Sequence, residues 1–128
     1  MNKNQIETLK EKLDIELSEE KIEFFINYTN FFLEKNSYTN LISKNDAKLI
    51  FEKHIFDSLA INLFLKNKKN DNLTRLLDIG TGGGFPSVPI AILYENTNVY
   101  ALDSIKKKIN VIKEIKTQLD LKNLFSIC

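Results

Sequence analysis

All four glycines and both prolines of this chain fall between residues 80 and 89, inside the stretch LLDIGTGGGFPSVP (76–89). Glycine is gathered like this where backbone must turn sharply or let another group approach closely, and a ligand is the leading candidate. Gly80, Gly82, Gly83 and Gly84 follow an apolar run that ends in Asp78 and Ile79, and they precede Pro86 and a second apolar run. That order reads as strand, glycine loop and helix, with the N–H groups of the helix start facing the loop. The dinucleotide pattern G-x-G-x-x-G requires glycine at its sixth position, where this chain has Phe85. Gly80, Gly82 and Gly84 read instead as G-x-G-x-G behind Asp78, which suits S-adenosylmethionine, a nucleoside with no pyrophosphate.

A second acidic residue supports a nucleoside. Asp103 closes the next apolar segment, and a carboxylate there accepts hydrogen bonds from both ribose hydroxyls. Asp103 or Ser104 equally suits the cap of the helix that follows, and the two roles can coexist. Phe85 either packs on the ligand or enters the core. His54, the only histidine, stands three residues before Asp57 and reads first as a helix residue bonded to a neighbour, second as a pocket contact. One histidine and one distant cysteine do not make a zinc site, so no metal is expected. Asp57 and Ser58 read as structural links. Lys106, Lys107 and Lys108 read as a solvated face before they read as phosphate contacts. Phe24, Phe25, Tyr28, Phe31 and Phe32 recur at helical spacing and read as core.

The elements that must position these residues divide into two stretches. Residues 1–66 read as a helical layer: Ile6, Leu9 and Leu13 share one face, and Ser18 caps a helix carrying Ile22, Phe25, Ile26, Phe32 and Leu33. NSYTNLISKND (36–46) reads as a connection, after which Asn45 or Asp46 starts a helix through KLIFEKHIFDSLAINLFL. KNKKNDN (66–72) reads as a polar linker. Over 73–128 the pattern is β-α-β-α-β: LTRLLDI (73–79), a helix from Pro86, NVYALD (98–103), a helix over 105–119 and NLFSIC (123–128). This predicts an α/β fold, a Rossmann-like, doubly wound parallel sheet preceded by helices, packed as one unit. Three parallel strands leave an edge unpaired, so the expectation is a chain truncated after its third strand.

Bulk properties narrow the classes. The 128 residues carry a net charge of +1, with Arg75 the only arginine. Nothing in that balance demands a nucleic acid or a membrane; a mildly basic second half is compatible with a polyanionic substrate. A single cysteine, Cys128, excludes an internal disulfide and fits a reducing compartment. No leader-like or membrane-length apolar run is present, so a cytoplasmic location and a monomer are expected.

YTNLI (38–42), HIFDSL (54–59), LLDIGTGGGFPSVPIAI (76–92) and LDSIKKK (102–108) together resemble the glucose-inhibited division protein B family. The glycine loop alone marks the wider methyltransferase class. Its extension F-P-x-x-P and the upstream H-x-x-D-S-L narrow the resemblance to this family. The resemblance implies an S-adenosylmethionine-dependent methyltransferase acting on N7 of a guanine in 16S rRNA, with 16S rRNA or the small ribosomal subunit as partner. It implies cofactor contacts from Gly80, Phe85 and the Asp103–Ser104 segment, alongside Asp78, Gly82 and Gly84 from the loop reading. No catalytic acid or base is expected, because N7 attacks through a lone pair and has no proton to lose. A module that binds the cofactor without turnover is the second reading, and a nicotinamide dehydrogenase, weakened by Phe85, the third. The family usually carries a tryptophan where Lys35 stands, a threonine at Ile42 and a glycine at Ser87.

Overall fold

Side-chain caps decide where the N-terminal helices begin in the computed structural model, which describes residues 1–66 and 74–128. Asn2 accepts from the Gln5 N–H at 2.8 Å while the Gln5 side chain accepts from the Asn2 N–H at 3.0 Å, and this reciprocal pair opens α1 (Lys3–Leu13). Ser18 caps α2 (Glu19–Thr39), as expected. The helix runs further than the turn-rich composition of 36–46 predicts. Its last turn absorbs residues 36–39, and Asn40, with a φ of 52°, ends it in the left-handed conformation. Buried Asn36 is compatible with that turn because its Oδ1 accepts the Ile42 N–H at 2.8 Å.

The next helix starts from a different cap. Ser43, not Asn45 or Asp46, accepts the Asp46 N–H at 3.0 Å and opens α3 (Lys44–Lys48). The single helix expected beyond it is interrupted. A π-helical turn over Phe51–Ile55 leads into α4 (Phe56–Leu59) and α5 (Ile61–Lys66). Phe51 and Ile55, four residues apart, are both buried along this turn. Beyond Lys66, the linker expected over 66–72 lies outside the described residues, as does Leu73.

From Thr74 onward the chain is β1 (Arg75–Ile79), α6 (Ser87–Leu93), β2 (Asn98–Leu102), α7 (Lys106–Leu119) and β3 (Leu124–Ile127). The strands form one parallel sheet in the order β1-β2-β3. This is the expected α/β, Rossmann-like arrangement. Register lines up Leu76, Val99 and Leu124 on one face, beneath Val88 and Ile90 of α6 and Ile109, Ile112 and Ile115 of α7. Helix α2 lies across α6 and α7 as a third layer, with Phe25, Tyr28 and Phe32 fully buried. Those three aromatics are core, as their spacing predicts.

The other face of the sheet carries Leu77, Tyr100 and Phe125 in one row and Ile79, Leu102 and Ile127 in the next. Ile79 is 74% exposed and Leu77 56%. Double winding predicts helices on both faces; among the described residues they cover one, because both crossovers connect neighbouring strands in the same direction.

Polar side chains tie the layers at the far end of α6, where its last carbonyls need donors. Lys21 of α2 donates to Leu93 O at 2.7 Å. Tyr94 donates to Asn62 Oδ1, and Asn62 donates to Leu13 O at 2.9 Å. Asn123 Nδ2 reaches the carbonyls of Ala91, Tyr94 and Thr97 at 2.9–3.0 Å. Asn123→Ala strips these buried carbonyls of their donor and is expected to lower unfolding free energy by about 2–4 kcal/mol, readable as a lower urea midpoint.

Candidate functional site

Gly80 and Thr81 anchor the loop to the sheet by donating to Leu102 O at 2.8 and 3.0 Å. Beyond that anchor two carboxylates take over. Asp78 Oδ2 accepts from Thr81 Oγ1 at 2.7 Å, Ser87 Oγ at 2.5 Å and Ser87 N at 3.3 Å. Asp103, at the end of β2, accepts the Gly82 N–H at 2.9 Å through Oδ2 and the Ile105 N–H at 2.9 Å through Oδ1. The loop residues, Asp103 and Ser104 therefore gather at the C-terminal ends of β1 and β2, the end where open α/β sheets bind ligands.

The glycines fall into two kinds. At Gly80 (φ 76°) and Gly82 (φ 57°) a Cβ would meet nothing within 4 Å, so these positions border open space. At Gly84 (φ 96°) a Cβ would sit 2.9 Å from Val88 Cγ2, so close packing of loop on helix excludes a side chain. The helix start differs from the expectation of free N–H groups. Asp78 takes the Ser87 N–H, and Gly84 O accepts the Val88 N–H at 2.7 Å, so the first turn of α6 is occupied. Pro86 stands at the N-cap rather than inside the helix, after a cis Phe85–Pro86 bond.

Asp103 is 8% exposed, yet its carboxyl is held below its ordinary value of 3.8. The Ile105 N–H is the main cause, then the Gly82 N–H; desolvation opposes them, and the Lys108 charge adds to them. An ionised carboxylate has about four acceptor positions, so Asp103 keeps lone pairs beyond those given to Gly82 and Ile105.

Phe85 links the loop to the helical layer. Its ring packs edge-on to Phe32 with centroids 5.2 Å apart, lies 6.0 Å from Tyr28, and stacks on His54 at 4.7 Å and 27°. Tyr28 OH has no hydrogen-bond partner, and burial pushes its ionisation well up. His54 Nε2 lies 3.2 Å from Asp46 Oδ2. The histidine is thus bonded to a neighbour, though the neighbour is Asp46 and not Asp57. Ser58 is buried and donates to His54 O at 2.5 Å, a bond within its own helical segment rather than the expected link to the sheet. Asp57 is exposed, and its side chain makes no hydrogen bond or ion pair among the described residues, so it is not the link to the sheet expected of it. The His54–Phe85 stack was invisible in sequence; the lone histidine on a helix was its only signal.

A cleft of about 240 Å³ beside Phe85 is lined by Lys53, His54, Asp57, Ser58, Phe85 and Pro86. A larger cavity of about 600 Å³ opens at the opposite end of the sheet, near Lys21, Glu95 and Lys122, and none of the candidate site residues lines it. Lys106 and Lys107 are exposed at the start of α7. Lys35, where tryptophan was expected from the resemblance, pairs with Glu114 of α7 at 2.5 Å and lies over the Phe31 and Tyr38 rings. Among the described residues no group of three His, Cys, Asp or Glu side chains is placed to hold a metal, and no helix is long and apolar enough to cross a membrane.

Comparison with known proteins gives one consistent result. The family model of rRNA small subunit methyltransferase G matches residues 21–128. Proteins named ribosomal RNA small subunit methyltransferase G are similar over most of the chain. The Lachnoclostridium phytofermentans protein is 37% identical over 88% of this chain and 45% of its own length. The Fusobacterium nucleatum protein is 38% identical over 89% and 47%, and a Clostridium botulinum protein 40% over 88% and 46%. The chain spans about half the length of these relatives.

Two outcomes check the loop. Gly84→Ala forces a Cβ onto Val88 at positive φ and is expected to cost about 2–4 kcal/mol, whereas Gly82→Ala, in open space, costs about 1–2 kcal/mol; denaturant titration separates them. Because the folded Asp103 carboxyl titrates below its ordinary value, its stabilisation is present above that value and is lost as pH falls through the folded one. The stability difference between wild type and Asp103→Asn is therefore expected to be flat above about pH 5 and to shrink towards pH 2, measured as unfolding midpoints across that range.

Proposed function

The chain belongs to the rRNA small subunit methyltransferase G family, and from that premise we propose that it binds S-adenosylmethionine at the glycine loop for methyl transfer to N7 of a guanine in 16S rRNA. The observation that carries the reading is the open space at Gly80 and Gly82 beside a charged, buried Asp103. The donor set fits the cofactor: Cβ-free backbone admits a nucleoside, and the spare lone pairs of Asp103 accept ribose hydroxyls. Gly84 and Asp78 shape the loop, and the same reading assigns cofactor contacts to Asp78, Phe85 and Ser104.

Held at Gly80, Gly82 and Asp103, the cofactor would supply an electrophilic methyl group on a sulfonium, whose sulfur would keep the C–S electron pair on transfer to an N7 lone pair. N7 carries no proton, so the transfer needs no general base. What the chain supplies is position. Asp103 fixes the loop backbone and the ribose together, and the Phe85–His54 stack fixes the wall beside them. In-line positioning of this kind is worth roughly 7–11 kcal/mol at best. Lys106 and Lys107 lie at the same end of the sheet and supply charge for RNA phosphates of the small ribosomal subunit. A cytoplasmic setting follows from that substrate.

The second reading is a chain that holds the cofactor without turnover. Calorimetry with S-adenosylmethionine and with NAD, followed by transfer of labelled methyl to 16S rRNA and to small subunits, tests both. Binding of S-adenosylmethionine alone, weakened about tenfold or more (about 1.4 kcal/mol) by Gly82→Ala, is expected. Preference for NAD overturns the proposal, and cofactor binding without methyl transfer selects the second reading.

A further inference from the structure

The cleft beside Phe85 holds a side chain that neither the fold nor the glycine loop uses. Asp57 is exposed on α4, its carboxylate has no hydrogen bond or ion pair among the described residues, and it lines the same small space as Lys53, His54, Ser58, Phe85 and Pro86. The others are accounted for. Ser58 donates to the His54 carbonyl, His54 is held between Asp46 and the Phe85 ring, and Phe85 is anchored on Phe32. Lys53, with a side chain 54% exposed, makes only a loose contact with Asp46 at 3.9 Å. The Asp57 carboxylate, and the Lys53 ammonium apart from its long contact with Asp46, thus face the rim of a wall that contains an aromatic ring and a proline ring.

The volume, about 240 Å³, is below the range of roughly 300–1,000 Å³ typical of drug-sized ligands and suits a single planar base. Base-modifying enzymes take the target out of its stack and read its Watson–Crick edge against a shaped pocket. The bases differ sharply at that edge. Guanine presents two donors side by side, N1–H and the 2-amino group, with the O6 acceptor next to them. A carboxylate accepts both donors at once, and an ammonium donates to O6. Adenine puts an acceptor, N1, where guanine has N1–H, and so repels the same carboxylate.

Resting on the methyltransferase reading above, we propose that this cleft is the acceptor-base site, in which Asp57 selects guanine through N1–H and the 2-amino group and Lys53 through O6. Contacts on that edge leave N7, on the other edge, unengaged. They also place a negative charge beside a base that becomes positively charged when N7 is methylated, so Asp57 favours the product side of the transfer as well as the choice of base. Asp57 is then a specificity-determining residue, and the His54–Phe85 stack is the wall that positions the base.

Nuclear magnetic resonance on the full chain tests this directly, because His54 is the only histidine and its imbalance-free imidazole signals report on the cleft alone. The chain is saturated with S-adenosylhomocysteine and titrated with guanosine, inosine and adenosine 5′-monophosphates. Guanosine monophosphate is expected to shift the His54 imidazole and the Asp57 and Phe85 amides. Inosine monophosphate, which lacks the 2-amino group, binds several-fold more weakly, and adenosine monophosphate more weakly still. Asp57→Asn, at an exposed side chain without partners, keeps the amide spectrum elsewhere and loses about fivefold or more of the guanosine monophosphate affinity, and Lys53→Gln about twofold or more. Equal binding of the guanine and adenine nucleotides, wild-type affinity in Asp57→Asn, or no response of the His54 signals overturns the proposal. The cofactor reading is scored separately on the same sample: if S-adenosylhomocysteine leaves the Gly80, Gly82 and Asp103 amides unmoved, that reading fails whatever the nucleotides do.

Discussion

The backbone between β1 and α6 is clamped from two sides by carboxylates, and the site depends on that clamp. A run of glycines has more conformational freedom to lose on folding than any other sequence of its length. Asp78 gathers Thr81 and Ser87 from within the turn, and Asp103 reaches in from the neighbouring strand to take the Gly82 N–H. Charge-assisted hydrogen bonds are about twice as strong as neutral ones, and they act here on backbone that has few side chains to pack. The register of β1 on β2 is what brings Asp103 level with the loop. Sheet pairing and ligand space are therefore set by the same contacts.

This clamp also redistributes work among the parts of the loop. Asp78 spends its Oδ2 on the start of α6, so the helix end closes the turn and does not point at a ligand. The open space lies instead over Gly80 and Gly82, where no Cβ intrudes. Ser87, where the family resemblance led to the expectation of glycine, contributes both its N–H and its hydroxyl to Asp78, so its side chain is used within the turn.

The helical layer is part of the site and more than a cover for it. Tyr28 and Phe32 of α2 hold one side of Phe85, and His54 from the π-helical turn stacks on its ring. Phe51 and Ile55 of the same turn are buried in the core, so the segment that carries His54 is seated on both sides of it. The sheet is one-sided by contrast. Its buried face is sealed by α6, α7 and α2, while Leu77, Ile79, Phe125 and Ile127 lie exposed on the other.

Local sequence determined a good deal. Short apolar runs, the first of them ending at the glycines, located the three strands, and apolar residues at helical spacing located α1, α2 and α7, because strand and helix periods leave different marks on neighbouring residues. F-P-x-x-P and H-x-x-D-S-L carried the family resemblance, and Ser18 marked a cap. Tertiary structure alone decided which partner each polar group took. His54 chose Asp46 over Asp57, Asp78 turned inward to Thr81 and Ser87, and Asp57 was left free. It also decided where a helix breaks into a π turn and which face of the sheet is covered. Those outcomes depend on contacts between residues far apart in the chain or on small rotations of a helix, and spacing along the sequence does not encode either one.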